Sequence, residues 1–386
     1  MTILEYIRKS ASLFPDKPAI IDWDGSVITY TELYRSMCEC APLPIPLLGE
    51  SWTSDFHLKT TGTTGKSKTV VISQQAVIAN SQNLIQAHGY SSETVFVVAG
   101  ALDHLGGWSK IFPTLMTGGT LILLDGMKDV NAFFRAFDYD SSHLATFLVP
   151  ASIRMLLQFS TDRLASYSHK IEFLETGAAP ISHTDMLRLC QLLPRTRLYN
   201  TYASTETGIV CSYNFNDGRT KPGCCGPALL NSQVFITESG TIACKGSTLM
   251  SGYLDEPELT ATVLKDGCIH TADSGYIDED GMLHVQGRND DVINIGGYKI
   301  DPVEVENRAL AFEGVEDCIC ISDTHPVVGN ILKLLVMTNG SKPDTRQMAR
   351  FIAQTLEPYK VPTRYEYVES INRTSNGKLD RKSYRK

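Results

Sequence analysis

The chain has 386 residues, which at about 150 per domain allows two or three domains and a large buried core. Hydrophobic residues make up 42%, charged residues 20% and aromatics 9%, the mix of a soluble globular protein, so disorder, collagen and coiled coil are poor readings. Lys plus Arg number 35 against 43 Asp plus Glu, a net charge of -8, which gives no basic surplus for gripping nucleic acid or an anionic membrane.

Residues 1 to 40 begin with a helical stretch. AIIDWDGSVITY then predicts two short strands around Asp24-Gly25, and TELYRSMCEC returns to helical spacing. The Pro-rich APLPIPLLGE ends that unit. From residue 69 to about 285, the short apolar runs VFVVAG, TLILLDG, HLATFLVP, KIEFLETG and TRLYNTY alternate with helical segments such as QQAVIANSQNLIQAHG and ISHTDMLRLCQLL. Such alternation predicts an α/β layer fold with parallel strands buried on both faces. After Thr220 the texture becomes β-rich, with SQVFITESGTIACKG and YIDEDGMLHVQG reading as hairpins. A boundary falls between Arg288 and Asp291. IDPVEVENRALAF then opens a helix with Asp301 as cap, Pro302 first and Glu304 third. CICISD, ILKLLVMTN and DTRQMARFIAQTL supply a small α+β domain.

The pairs Cys38/Cys40, Cys224/Cys225 and Cys318/Cys320, among ten cysteines, stand too close for a C-x-x-C knuckle and read as buried reduced thiols. The opening MTILEYIRKSASLFPDKPAI lacks a charged start followed by an apolar stretch, and no run approaches the roughly 20 apolar residues of a membrane span, so a cytoplasmic protein is expected.

The loop TTGTTGKSKTVV, residues 60 to 71, has the chemistry of an anion cradle: Gly62 and Gly65 let backbone N–H groups converge, hydroxyls donate, and Lys66 and Lys68 add positive charge. A P-loop needs glycine at the position of Thr60, so the pattern fails by one residue. Alone, the loop reads equally as a Gly/Thr surface loop. Asp273 alone reads as a turn residue, Glu206 as a helix start, Tyr202 as a core aromatic and Lys378 as a solvated tail lysine.

Taken together, these segments resemble the adenylate-forming (AMP-binding) superfamily of acyl- and aryl-CoA ligases, peptide-synthetase adenylation domains and luciferases. Its phosphate loop, [ST]-[ST]-G-[ST]-T-G-x-P-K, is matched by Thr60, Thr61, Gly62, Thr63, Thr64, Gly65, Lys66 and Lys68, with Ser67 in place of proline. TGAAPIS is similar to the segment that lies against adenine, which implicates Gly177, Ala178, Ala179 and Pro180. YASTE is similar to Y-G-x-T-E, implying that Tyr202 stacks on adenine, Thr205 meets the α-phosphate and Glu206 holds Mg²⁺. HTAD resembles the T-G-D segment, giving Asp273 to the ribose. GRNDDVINIGGYKIDPVEVE resembles the hinge block, with Arg288 toward the ribose, Asp290 at the hinge and Gly296-Gly297 lining a tunnel for the thiol; a plain hairpin turn is the other reading of the two glycines. Gly377-Lys378 falls at the catalytic lysine. DHLGGW occupies the acid-pocket block, with His104, Gly106 and Gly107 lining it; His104 reads equally as a structural histidine. Asp103 would suit an amino acid, but counting from Gly118 puts His104 in register and favours an acid without an amine.

The resemblance spans residues 55 to 386 plus the opening ITYTEL. Ala203 and Ala272 replace glycines, and Asn372 stands where proline is usual. The family normally has considerably more chain before the phosphate loop, so a shortened N-terminal region is expected, as in some bacterial o-succinylbenzoate ligases.

The resemblance implies a large N-terminal domain of layered α/β subdomains with a β-rich subdomain, residues 1–289, and a small mobile α+β domain, residues 290–386. It implies ATP, Mg²⁺ and coenzyme A as cofactors and a small-molecule carboxylic acid as substrate, activated to an acyl-adenylate and then converted to a thioester. A carrier protein is the alternative acceptor. A non-catalytic nucleotide-binding sensor is the reading from another class.

Overall fold

The computed structural model describes residues 1–45, 51–60, 68–219, 221–295, 298–325, 329–338, 340–374 and 378–384. Two capped helices open the chain. Thr2 and Thr29 each accept from the backbone N–H three residues on, and Glu5 and Glu32 reach back to complete capping boxes at α1 (Ile3–Leu13) and α2 (Tyr30–Glu39). Between them β1 (Pro18–Ile21) and β2 (Val27–Thr29) form an antiparallel pair. Next come the hairpin β3 (Phe56–Thr60) and β4 (Lys68–Ile72), then α3 (Gln74–His88), which ends on Gly89 in the left-handed conformation that glycine tolerates.

The central layer uses β5 (Val95–Val98), β6 (Thr120–Leu123), β7 (Leu144–Leu148), β8 (Ile171–Gly177), β9 (Arg197–Ser204) and β10 (Gly208–Asn214). With β1 and β2 they form one sheet in the order β10-β9-β8-β7-β5-β6-β1-β2. Its interior is parallel, as expected, and both edges are antiparallel pairs. Its strands are apolar on both faces because both are covered: Phe96 and Val98 join one core with Ile7, Leu84 and Trp108, while Val95 and Val97 join another with Ile153 and Met186. The covering helices include α4 (Leu105–Met116), α5 (Val130–Ala136), α6 (Pro150–Phe159), α7 (Thr161–Ser166) and α8 (His183–Leu192).

The β-rich part contains β11 (Cys224–Gly226), β12 (Ser232–Ile236), β13 (Thr241–Gly246), β14 (Gly252–Tyr253), α9 (Pro257–Val263), β15 (Leu264–Lys265), β16 (Cys268–Ile277) and β17 (Leu283–Arg288). Strands β11, β17, β16, β13 and β12 form a second sheet, whereas β14 pairs with β4. That pairing brings the segment after the second sheet's first hairpin back to the base of the Gly/Thr loop.

A 3₁₀ turn at Asn289–Asp291 leads to the small C-terminal domain. Here β18 (Ile293–Ile295) and β19 (Tyr298–Ile300) pair, followed by α10 (Pro302–Leu310), β20 (Asp317–His325), β21 (Gly329–Met337), α11 (Thr345–Ala353) and β22 (Arg364–Tyr367). It has its own core around Val305, Leu334 and Met348. Asp301 caps α10 as the sequence suggests, but Glu304 pairs with Lys360 at 2.8 Å. The cysteines are all free, and Cys38 and Cys40 are exposed, contrary to the expectation that the close pairs are buried: Cys38 lies off the buried Tyr30–Leu33–Met37 face of α2, and Cys40 is the residue that ends the helix.

Candidate active site

The hairpin β3–β4 frames the anion-cradle segment. Thr60, the last residue of β3, pairs with Lys68, the first of the antiparallel β4, whereas a P-loop joins a strand to a helix. Thr61, Gly62, Thr63, Thr64, Gly65 and Lys66 lie outside the described residues. Lys68 Nζ sits 5.0 Å from the Tyr253 ring centroid, a cation–π contact, and the Tyr253 hydroxyl donates to Glu206 Oε1 at 2.9 Å. Tyr253 therefore ties the base of the loop to the carboxylate after β9. It is absent from the sequence-based candidates; its only signal is its position in GYLDEPE between Gly252 and an acidic turn.

The second polar group gathers at the edge between the two sheets. Tyr202, at the end of β9, donates its hydroxyl to Asp273 Oδ2 at 2.8 Å. Asp273 pairs in register with Arg288 across β16 and β17, and its Oδ1 lies 3.5 Å from Arg288 Nε. Arg288 also approaches Asp290 at 3.9 Å. Thr205 lies in the turn between β9 and β10, closed by mutual Ser204 and Thr207 hydrogen bonds. Ala178, directly after β8, has φ of +68°, a left-handed conformation that L-residues adopt at a cost. The turn thereby carries Ala179 and Pro180 off the end of β8. Gly177 is required for packing, since a Cβ there would stand 2.8 Å from the Thr201 carbonyl oxygen.

Lys378 arrives from the small domain. Thr374 N–H donates to the Lys378 carbonyl at 2.9 Å, and Arg373 bridges to Leu379, so the backbone at the lysine is tied to Arg373 and Thr374. Burial lowers its pKa from the ordinary lysine value and Arg288 adds to that, while Asp273 and Glu206 oppose it. One ammonium is thus within electrostatic reach of both polar groups. Gly296 and Gly297 lie outside the described residues; the flanking Ile295 and Tyr298 pair with each other, and Tyr298 stacks on Tyr359 at 4.3 Å.

The side predicted to receive the acid is packed differently. His104 stands at the start of α4 with no capping hydrogen bond, its Nδ1 2.9 Å from Asp103 Oδ1. A Cβ on Gly106 would meet the Phe147 ring at 2.7 Å, and one on Gly107 the Ala101 carbonyl at 2.7 Å. Both glycines serve close approach. One turn further along α4, Lys110 donates to Glu175 of β8 at 2.6 Å, both side chains essentially without solvent contact. Phe147 covers the lysine, with its centroid 5.1 Å from Nζ. His88 completes the cluster, 3.5 Å from Glu175 Oε2 and 2.8 Å from Ser212 Oγ. Burial holds its pKa well below the usual value, reinforced by Lys110 and Arg197. A lysine within the apolar helix LGGWSKIFPTLM was the signal for this pair.

The chain matches the AMP-binding enzyme family over residues 58–254 and the C-terminal domain of AMP-binding enzymes over residues 304–378. It belongs to the AMP-binding enzyme family. Among relatives of this family, a long-chain-fatty-acid–CoA ligase of Bacillus subtilis is 28% identical over 84% of this chain and 60% of its own length. A 2-succinylbenzoate–CoA ligase of Staphylococcus epidermidis is 29% identical over 84% of this chain and 68% of its own. ATP-bound MatB from Rhodopseudomonas palustris superposes with a TM-score of 0.77 and 25% identity, covering 94% of this chain and 73% of that one. The chain therefore spans about three-fifths of the first of these AMP-binding relatives. Among the described residues, no helix is long and apolar enough to cross a membrane.

Proposed function

We propose that this chain activates a carboxylic acid with ATP to give an acyl-adenylate and pyrophosphate, and then transfers the acyl group to the thiol of coenzyme A. The observation that carries this reading is the position of Lys378, delivered by the small domain to within electrostatic reach of Glu206, Asp273 and Arg288. A carboxylate is a poor electrophile because its charge repels nucleophiles and its leaving group would be oxide. Attack of its oxygen on the α-phosphorus makes AMP the later leaving group, and the charge that develops there needs preorganised donors.

In this proposal residues 1–289 bind nucleotide and acid, and residues 290–386 carry Lys378 as a mobile point charge for the acid and α-phosphate. Thr60, Lys68 and the cradle between them hold the β- and γ-phosphates. Thr205 faces the α-phosphate, Tyr202 offers its ring to adenine along Gly177 to Pro180, and Asp273 with Arg288 takes the ribose. Among the described residues no group of three or more metal-ligating side chains occurs. Glu206 nevertheless fits Mg²⁺, which commonly uses one or two carboxylates and completes its shell with phosphate and water. The Tyr253 hydrogen bond orients that carboxylate. Mg²⁺ would neutralise phosphate charge; the chain's part is to hold Glu206 in place.

His104, Gly106 and Gly107 form the acid side, and Asp290 with Gly296-Gly297 serves the hinge and thiol approach. The related ligases act on aryl and fatty acids, and an aryl or succinyl-aryl acid is the first class to supply. Free thiols throughout fit a reducing compartment, and a cytoplasmic site of action is part of the proposal. The test is acid-dependent pyrophosphate release across aryl, fatty and amino acids, followed by thioester formation with free CoA or with a holo carrier protein. Release with an aryl or fatty acid and transfer to free CoA is expected. Intact ATP binding without release for any acid would overturn the reading in favour of a nucleotide sensor, and transfer only to the carrier would replace CoA as acceptor.

A further inference from the structure

An ion-pair chain that crosses between the two domains reaches the loop bearing Lys378. Arg154, on α6 of the large domain, donates through Nε to Asp185 of α8 at 3.2 Å and through Nη1 to Asp317 at 2.8 Å. Asp317 is the first residue of β20, in the small domain. Its second oxygen accepts from Arg373 Nη2. The Arg154 and Asp317 side chains are only 17% and 10% exposed, so their charges interact with little solvent screening.

The far end of the chain is what gives it meaning. Arg373 bridges to Leu379, and the next residue, Thr374, donates to the Lys378 carbonyl. The guanidinium held by Asp317 thus belongs to a residue whose backbone is bridged to the neighbour of the lysine. Asp185 is itself fixed, since its Oδ2 also accepts from Ser182 Oγ at 2.8 Å. Beside the bridge lies a cleft of about 370 Å³, with Arg154, Leu157 and Arg188 on one wall and Leu310, Val315 and Glu316 on the other. At this edge the domains are joined by a direct ion pair beside an open cleft, while their hydrophobic cores are separate clusters.

We propose that Arg154, Asp317 and Arg373 form an interdomain latch that sets the small domain for adenylation and positions Lys378, and that it opens before transfer to the thiol. This rests on the two-step function proposed above. None of the three acts on substrate; they are positioning residues.

The test compares Arg154→Ala, Arg154→Lys and Asp317→Asn with the unaltered chain. Single-turnover acyl-adenylate formation should fall about 10- to 100-fold in Arg154→Ala and Asp317→Asn, the loss expected for a charged hydrogen bond. Thioester formation from a presented acyl-adenylate should stay the same or rise, and Arg154→Lys should recover part of the first step. Equal loss in both steps, or no loss in either, overturns the latch. A second measurement needs no catalysis: acylation of Lys378 by an N-hydroxysuccinimide ester, which releases N-hydroxysuccinimide, followed by mass spectrometry against the exposed Lys245. Lys378 should label several-fold faster in Arg154→Ala than in the parent. Equal labelling in folded protein overturns the latch even where no acid substrate is found, so the two proposals fail separately.

Discussion

The sides of the site proposed for nucleotide and for acid are built by opposite means. On the nucleotide side, Tyr202, Asp273, Arg288 and Lys378 come from separate strands and from both domains, and they meet through hydrogen bonds and charge at a partly open edge. On the acid side, Gly106 lies against Phe147 and Gly107 against the Ala101 carbonyl, contacts too close for a Cβ, backed by the sealed Lys110–Glu175 pair. Polar groups left at an edge can exchange partners with a ligand. A sealed ion pair beneath close-packed glycines fixes a shape.

The sharpest way to break this contrast is to unpair the sealed side. Lys110→Met leaves the Glu175 carboxylate buried without its cation, and the expected loss is about 3–5 kcal/mol of folding stability by chemical denaturation. Adding Glu175→Leu should restore much of it; a single-variant cost below about 1 kcal/mol would mean the pair does not secure this face.

Lys378→Ala should reduce acyl-adenylate formation by about 3 kcal/mol of barrier, while transfer from a presented acyl-adenylate continues. Its pH dependence sharpens the same point. Because burial and Arg288 lower the lysine's pKa, the required ammonium is lost as pH rises at a lower value than for an exposed lysine. Adenylation should therefore decline early on the alkaline limb, and Arg288→Ala should move that limb upward. An unmoved limb would separate Lys378 from the titration.

The smallest effect is expected from Tyr202→Phe, which keeps the ring but removes the hydroxyl bonded to Asp273. ATP affinity measured calorimetrically should fall by about 1 kcal/mol. Unchanged affinity would leave the hydroxyl without a role in orienting Asp273.

How much of this was legible varied with the kind of interaction. The buried parallel strands are contiguous apolar runs, and the β12–β13 and β16–β17 hairpins carry Gly-marked turns, so their types follow from local chemistry. The residues proposed for the nucleotide stand out through motif order: each of Tyr202, Asp273 and Lys378 has a bland local explanation, and it is their succession that resembles the family. Tyr253 was missed because its partner Glu206 is 47 positions away and the β4–β14 pairing that joins their neighbourhoods has no local signature. The exposed Cys38 and Cys40 show the converse, since composition suggests burial for cysteine but cannot say which positions in and after α2 are covered.

By itself, then, the sequence determined the layered α/β class, the β-rich second part, a small C-terminal domain and the membership in the AMP-binding family. These depend on short-range periodicity, turns and residue order. Tertiary structure alone decided that Lys110 is buried against Glu175, that Tyr253 links Lys68 to Glu206, and that Arg154 reaches Asp317, the partner of Arg373. Each of these contacts joins residues tens to hundreds of positions apart, and the strength of a charge or hydroxyl interaction is set by distance and by the solvent excluded around it, neither of which is written in the neighbouring residues.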